Sequence, residues 1–151
     1  SMLRWLLDES RPAPVPIVSL LRSLVEIARV PLRDRGLALE LDDVADTPPA
    51  LVDPGPTCQL VTAACRVLAA HTPGMPHGRM TVGCRVAGGE IRLSFHMHPS
   101  GGALPFPRDP AHVAEALHGE LAAAGGRWED GGDDEALALV LPIAKATLRG
   151  S

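Results

Sequence analysis

With 151 residues, 46% of them hydrophobic, the chain is long enough to close a proper core in one domain and too apolar for general disorder. Its formal net charge is −4, Lys145 is its only lysine and its arginines are scattered singly. Nucleic acid is therefore excluded as a primary partner, because phosphate binding needs grouped cations. No apolar run approaches the roughly 20 residues of a membrane span, so no membrane contact is expected of this domain.

In chain order, residues 2–8 read as the end of an amphipathic helix, and "RPAPVP" as an extended breaker in which each Pro fixes its own φ and restricts its predecessor. The chain thus divides into 1–14, a helix end with its linker, and 15–151, the domain proper. Pro16 suits the first turn of the next helix, and Ile17, Leu20, Leu21, Leu24, Ile27 and Ala28 follow at helical spacing. That predicts a helix over 16–30, frayed or bent at Pro31 and stopped by Gly36. "LALELD" alternates as a half-buried strand, and Leu51-Val52 is a short extended piece.

A second helix is expected over 57–71, ended by "TPGMPHG". "RMTVGCRV" and "EIRLSFHM", joined through Gly88-Gly89, predict an antiparallel hairpin. A third helix over 111–124 ends at Gly125-Gly126. "RWED" reads as a strand, "GGDDE" as a solvated acidic turn and "ALALVLPI" as the last buried strand. Strands and helices in this order cannot all be parallel crossovers. They imply a two-layer α/β sandwich with a mixed, mainly antiparallel sheet and three helices on one face. Leu20, Leu24, Leu60, Ala64, Leu68, Val82, Leu93, Phe95, Leu117, Leu121, Leu139 and Leu141 are its expected core. Cys58, Cys65 and Cys84, an odd number with no secretory leader, fit buried thiols in a reducing cytoplasm.

"DPGPTCQLVTAACRVLAAHTPG" has the pattern Asp-Pro, helix, Thr-Pro-x-Gly. With "GEIRLSFHMHPSGG", "LAAAGGRW" and the closing "ALALVLPI", it resembles the catalytic ATP-binding domain of bacterial sensor histidine kinases, within the GHKL ATPase family. The resemblance spans nearly the whole chain and rests on scaffold more than on signature residues. It implies a cytoplasmic two-component protein that delivers the γ-phosphoryl of ATP to a histidine on a separate dimerisation domain. A response regulator is the further implied partner. The isolated chain is not expected to phosphorylate itself.

The departures from that family are concentrated at the nucleotide. Its asparagines fall at Ala63 and Val67, the latter the Mg²⁺ ligand position, and its polar residue near the helix end falls at Ala70. The adenine-binding aspartate falls at Met97 and the first glycine of that motif at Pro99, while Gly101 and Gly102 survive. The later glycine motif falls on Ala111, His112, Val113 and Ala114, and the lid is a short "ALPFPRDP". A hydrogen bond to a charged group contributes about 1.5–3 kcal/mol, roughly 10- to 150-fold in affinity, and Met97 cannot supply it. Valine offers Mg²⁺ none of the oxygen it prefers.

On this resemblance, ATP remains the implied ligand and Mg²⁺ a conditional one. Thr72, Gly101 and Gly102 would keep their family roles, with Arg66, His71, His98 and Arg108 as candidate replacements for lost ligands. A solvated surface position is the plainer reading of Arg66. His96 and His98, at i and i+2 on one strand, could hold a metal or contact a base, against the plainer reading of exposed histidines. The competing function is a catalytically dead pseudo-ATPase that serves as a docking module for a response regulator or within a histidine phosphotransfer protein.

Overall fold

Helix α1 (Ile17–Arg33) forms where the apolar residues recur at helical spacing, and buries Ile17, Leu20, Leu21, Leu24, Val25, Ala28 and Leu32. The computed structural model describes residues 13–34, 36–42, 44, 47–70, 78–98, 110–129 and 135–144. Pro16 is the N-cap of α1 and is extended, one position before the expected first turn. The helix runs through Pro31, where the ring faces solvent and only one late hydrogen bond is lost. Ile27 does not join the buried stripe, being 44% exposed. Gly36, at φ 78°, ends the element: its N–H bonds the Arg33 carbonyl, and the Leu37 N–H bonds that of Leu32. This is a Schellman closure with buried Leu32 and Leu37 as its apolar clasp.

Strand β1 (Val15–Pro16) pairs antiparallel with β3 (Leu51–Val52), and β2 (Ala38–Asp42) opens the main sheet. Helix α2 (Pro54–Ala70) begins three residues earlier than the sequence suggests. Pro54 and Pro56 fall in its first turn, where their missing N–H groups have no intrahelical partner to lose. Hairpin β4 (Arg79–Ala87) and β5 (Glu90–His98) turns through Gly88 and Gly89, both at positive φ as the tight primed turn requires.

The expected third helix is broken at Leu117 into α3 (Pro110–Ala116) and α4 (His118–Ala124). Val113, Leu117 and Leu121 nevertheless stay in phase and buried across the break. Gly125 (φ 68°) closes α4, and Gly126 lies so near the last strand that a Cβ would meet the Val140 carbonyl at 2.8 Å. Strands β6 (Arg127–Glu129) and β7 (Leu137–Pro142) complete the sheet.

The five-stranded sheet has order β2-β4-β5-β7-β6, with β2 parallel to β4 and every other pair antiparallel. Along β5, Ile91, Leu93, Phe95 and Met97 are buried under the helices, while Glu90, Arg92, Ser94, His96 and His98 take the open face. The architecture is the expected two-layer sandwich, and all twelve expected core residues are buried. No helix among the described residues is long and apolar enough to cross a membrane.

Candidate functional site

The positions that matter by resemblance lie on the helix-covered side of the sheet. Ala63 and Val67, four residues apart on α2, share one stripe of that helix. Ala63 is 3% exposed, and Val67 is half-buried against the core. Met97, also 3% exposed, lies opposite Met80 in the β4–β5 register. On α3, Val113 and Ala114 are buried, whereas Ala111 and His112 are exposed. The side chains of Ala63, Val67 and Met97 present carbon and a thioether, with no oxygen among them. Mg²⁺ demands oxygen ligands in near-octahedral geometry, so these three positions do not fit that ion.

Of the candidate replacements, Arg66 is exposed on α2 beside Val67. His98 is not brought together with Met97. Successive strand residues face opposite sides, so the His98 imidazole lies on the open face, where it shares a 3.0 Å hydrogen bond with the Thr81 hydroxyl. His71, Thr72, Pro99, Gly101, Gly102 and Arg108 lie outside the described residues, as do residues 1–12 and the lid sequence "ALPFPRDP".

The open face holds most of the ionic chemistry. The rings of His96 and His98 stack with centroids 6.3 Å apart and planes 18° from parallel. Parallel rings direct their lone pairs alike rather than toward one ion, and no group of three metal-binding side chains occurs among the described residues. Burial, then the positive charge of Arg79 and the neighbouring His96, pull the His98 pKa below its ordinary value. Further along, Arg92 bridges Glu129 and Glu135, and Arg127 bridges Glu90 and Glu129. Burial works against the Arg92 charge, but Glu135 and Glu129 hold its pKa above the ordinary value. The hydrogen bond from Arg127 keeps Glu90 below the usual carboxylate range. Glu135 is therefore an ion-pair partner rather than part of a merely solvated turn. This ladder could have been suspected from the alternating charges of "EIRLSFHMH", but its partners only emerge from the register with β6 and β7.

The cysteines are inert by environment: burial pushes the thiols up, to about 11 for Cys58 and Cys84 and about 12 for Cys65. A separate cleft of about 730 Å³ opens beside the edge strand β2, between Arg29, Arg33 and Glu40. Arg29 Nε donates to the Leu39 carbonyl at 3.1 Å, which blunts that edge against further strand pairing.

No family model matches the sequence, and no curated protein matches it. Solved structures do match. Full-length histidine kinase ShkA in complex with AMPPNP superimposes with TM-score 0.65 and 24% identity, over 92% of this chain and 32% of that one. The nucleotide-free catalytic domain of histidine kinase ThkA gives TM-score 0.61 and 12% identity, over 87% of this chain and 95% of that domain. ThkA in complex with the response regulator protein TrrA gives TM-score 0.55 and 12% identity, over 95% and 46%. The chain thus has the ATPase-like fold of histidine kinase catalytic domains, and spans about a third of the length of ShkA.

Proposed function

We propose that this chain is a divergent catalytic ATP-binding domain of a two-component sensor histidine kinase. In its full-length protein it would serve a phosphoacceptor histidine on a separate dimerisation domain, to which residues 1–14 would lead. The observation that carries this reading is the scaffold: this order of helices and strands, with helices covering one face of a mixed sheet, superimposes on the kinase structures. A relative crystallised with AMPPNP makes ATP the natural ligand class, and a relative in complex with a response regulator makes that the natural protein partner.

A second reading is favoured by one specific observation. Ala63 and Met97 are apolar and buried where the family resemblance calls for asparagine and aspartate. On that reading the chain is a pseudo-ATPase that keeps the fold as a docking module for a response regulator or within a histidine phosphotransfer protein. If the chain is a kinase, Arg66, His71, Thr72, Gly101, Gly102 and Arg108 remain the ATP-contact candidates, with Arg66 best placed to meet phosphate in the absence of a protein-held metal; His98, facing the other side of the sheet against Thr81, drops out of that set. Incubating the full-length parent with γ-labelled ATP separates the two. Acid-labile, base-stable label on its histidine is the kinase outcome. No label from ATP, but label received from a phosphorylated regulator, is the docking outcome.

A further inference from the structure

A second cleft, of about 320 Å³, lies on the open face over the middle of β4 and β5. Its floor is Gly83, which stands opposite Ser94 on one side and Asp42 on the other. The backbone does not demand a glycine there, since an added Cβ would meet nothing closer than the Asp42 carbonyl at 3.5 Å. Missing side-chain volume at the centre of the sheet is what leaves the cleft open. One wall is Thr47, whose hydroxyl donates to the Cys84 carbonyl at 2.8 Å and holds that residue against β4.

Two of the polar side chains around this gap, Arg85 and Ser94, find no partner among the described residues. Arg85 faces Arg92 directly across the β4–β5 pair, an arrangement of like charges that is unfavourable unless compensated. Arg92 is compensated by Glu129 and Glu135, whereas Arg85 has no ion pair among the described residues. The Ser94 hydroxyl likewise has no hydrogen-bond partner among them. Arg85 and Ser94 are diagonal neighbours, with backbones roughly 7–8 Å apart. His96 follows Ser94 on the same face. Across the floor stands Asp42, its backbone two strand spacings, or ~10 Å, from that of Ser94.

We propose that this cleft binds a small zwitterion of the α-amino-acid class. The ligand carboxylate accepts from the Arg85 guanidinium and the Ser94 hydroxyl, and its ammonium donates to Asp42, while His96 bounds the site along β5. A simple anion would answer Arg85 but meet the charge of Asp42, and a simple cation would do the reverse. A ligand carrying both charges a few atoms apart satisfies both. The site lies on the face opposite Ala63, Val67 and Met97, so it stands or falls independently of nucleotide binding.

The test is an NMR titration of the full chain, ¹⁵N-labelled, with glycine, L-alanine and L-glutamate. Acetate and methylammonium serve as the two half-ligands. At least one amino acid should give saturable shifts at the amides of Gly83, Arg85 and Ser94, with both half-ligands at least tenfold weaker. Arg85→Met and Asp42→Asn should each weaken binding roughly tenfold or more. Gly83→Val should block it while the rest of the spectrum shows an intact fold, and Glu40→Gln should change nothing. The proposal is overturned if no amino acid saturates these amides, if acetate binds as tightly as the amino acids, or if Arg85→Met leaves affinity unchanged.

Discussion

On the helix-covered side of β5, Ile91, Leu93, Phe95 and Met97 are sealed from water, while on its open side Glu90, Arg92, Ser94, His96 and His98 meet arginines, carboxylates and a hydroxyl from the flanking strands. In a fold shared with ATP-binding kinase domains, polar ligands would be looked for on the first of these sides. At Ala63, Val67 and Met97 that side is apolar, and the ionic groups are gathered on the second. The scaffold's shape is set by burial and glycine geometry, so it persists when the ligand positions change. A fold match therefore says where a nucleotide would sit, and the side chains decide whether anything there would hold it.

The contrast between the faces is tested most strongly by paired substitutions. Leu93→Ala, beneath the helices, should cost about 2–5 kcal/mol, and Glu40→Ala, exposed and 3.7 Å from Arg79, less than about 0.5 kcal/mol by denaturant unfolding. Comparable losses would mean that the open face is not a solvated surface. Met97→Asp restores the carboxylate called for by the family resemblance. Placed at a buried position, it should destabilise the chain by about 2–4 kcal/mol at neutral pH, and by less in acid, where the carboxyl is neutral. A stable Met97→Asp variant would show that the position opens onto a wet nucleotide cleft instead.

Smaller effects probe the open face. Arg92→Met should cost about 1 kcal/mol, because both of its ion pairs are partly exposed, and the loss should shrink in high salt. A salt-independent loss would point to packing of the Arg92 stem over Val140. The smallest effect concerns His98. Its folded pKa lies below the unfolded value of 6.5, so protonation favours the unfolded chain. Stability from this group is fully present above about pH 6.5 and falls as the pH drops through the folded value. His98→Gln should flatten that part of the melting profile, and an unchanged slope would assign it to other groups.

Periodicity was enough to read the layers, the hairpin and the buried positions, because core burial writes itself as repeats of 2 and 3.6 residues. It misled at three places, each governed by something periodicity does not encode. The first turn of α2 is built on prolines that lie ahead of its apolar stripe, Ile27 fell at the edge of its stripe, and the path turned at Leu117 although Val113, Leu117 and Leu121 kept their phase. The site was less legible. Ala63, Val67 and Met97 could be placed by their motifs, but the opposite facing of Met97 and His98 follows from strand alternation and separates two residues adjacent in sequence. The Arg92–Glu135 contact and the Gly83 cleft depend on strand register and could not be read from the residues alone.

The most direct measurement is calorimetric titration of the chain with ATP and ADP, each with and without Mg²⁺. If Met97 stands where the family resemblance calls for the adenine-binding aspartate, ATP should bind roughly 10- to 150-fold more weakly than in domains that keep it. With carbon at Val67, Mg²⁺ should change the affinity little, and ATP should be scarcely preferred over ADP. If weak binding is found, Arg66→Ala should reduce it more than Val67→Ala. Tight ATP binding that strictly requires Mg²⁺ would contradict the assignment of Ala63, Val67 and Met97 as lost ligand positions.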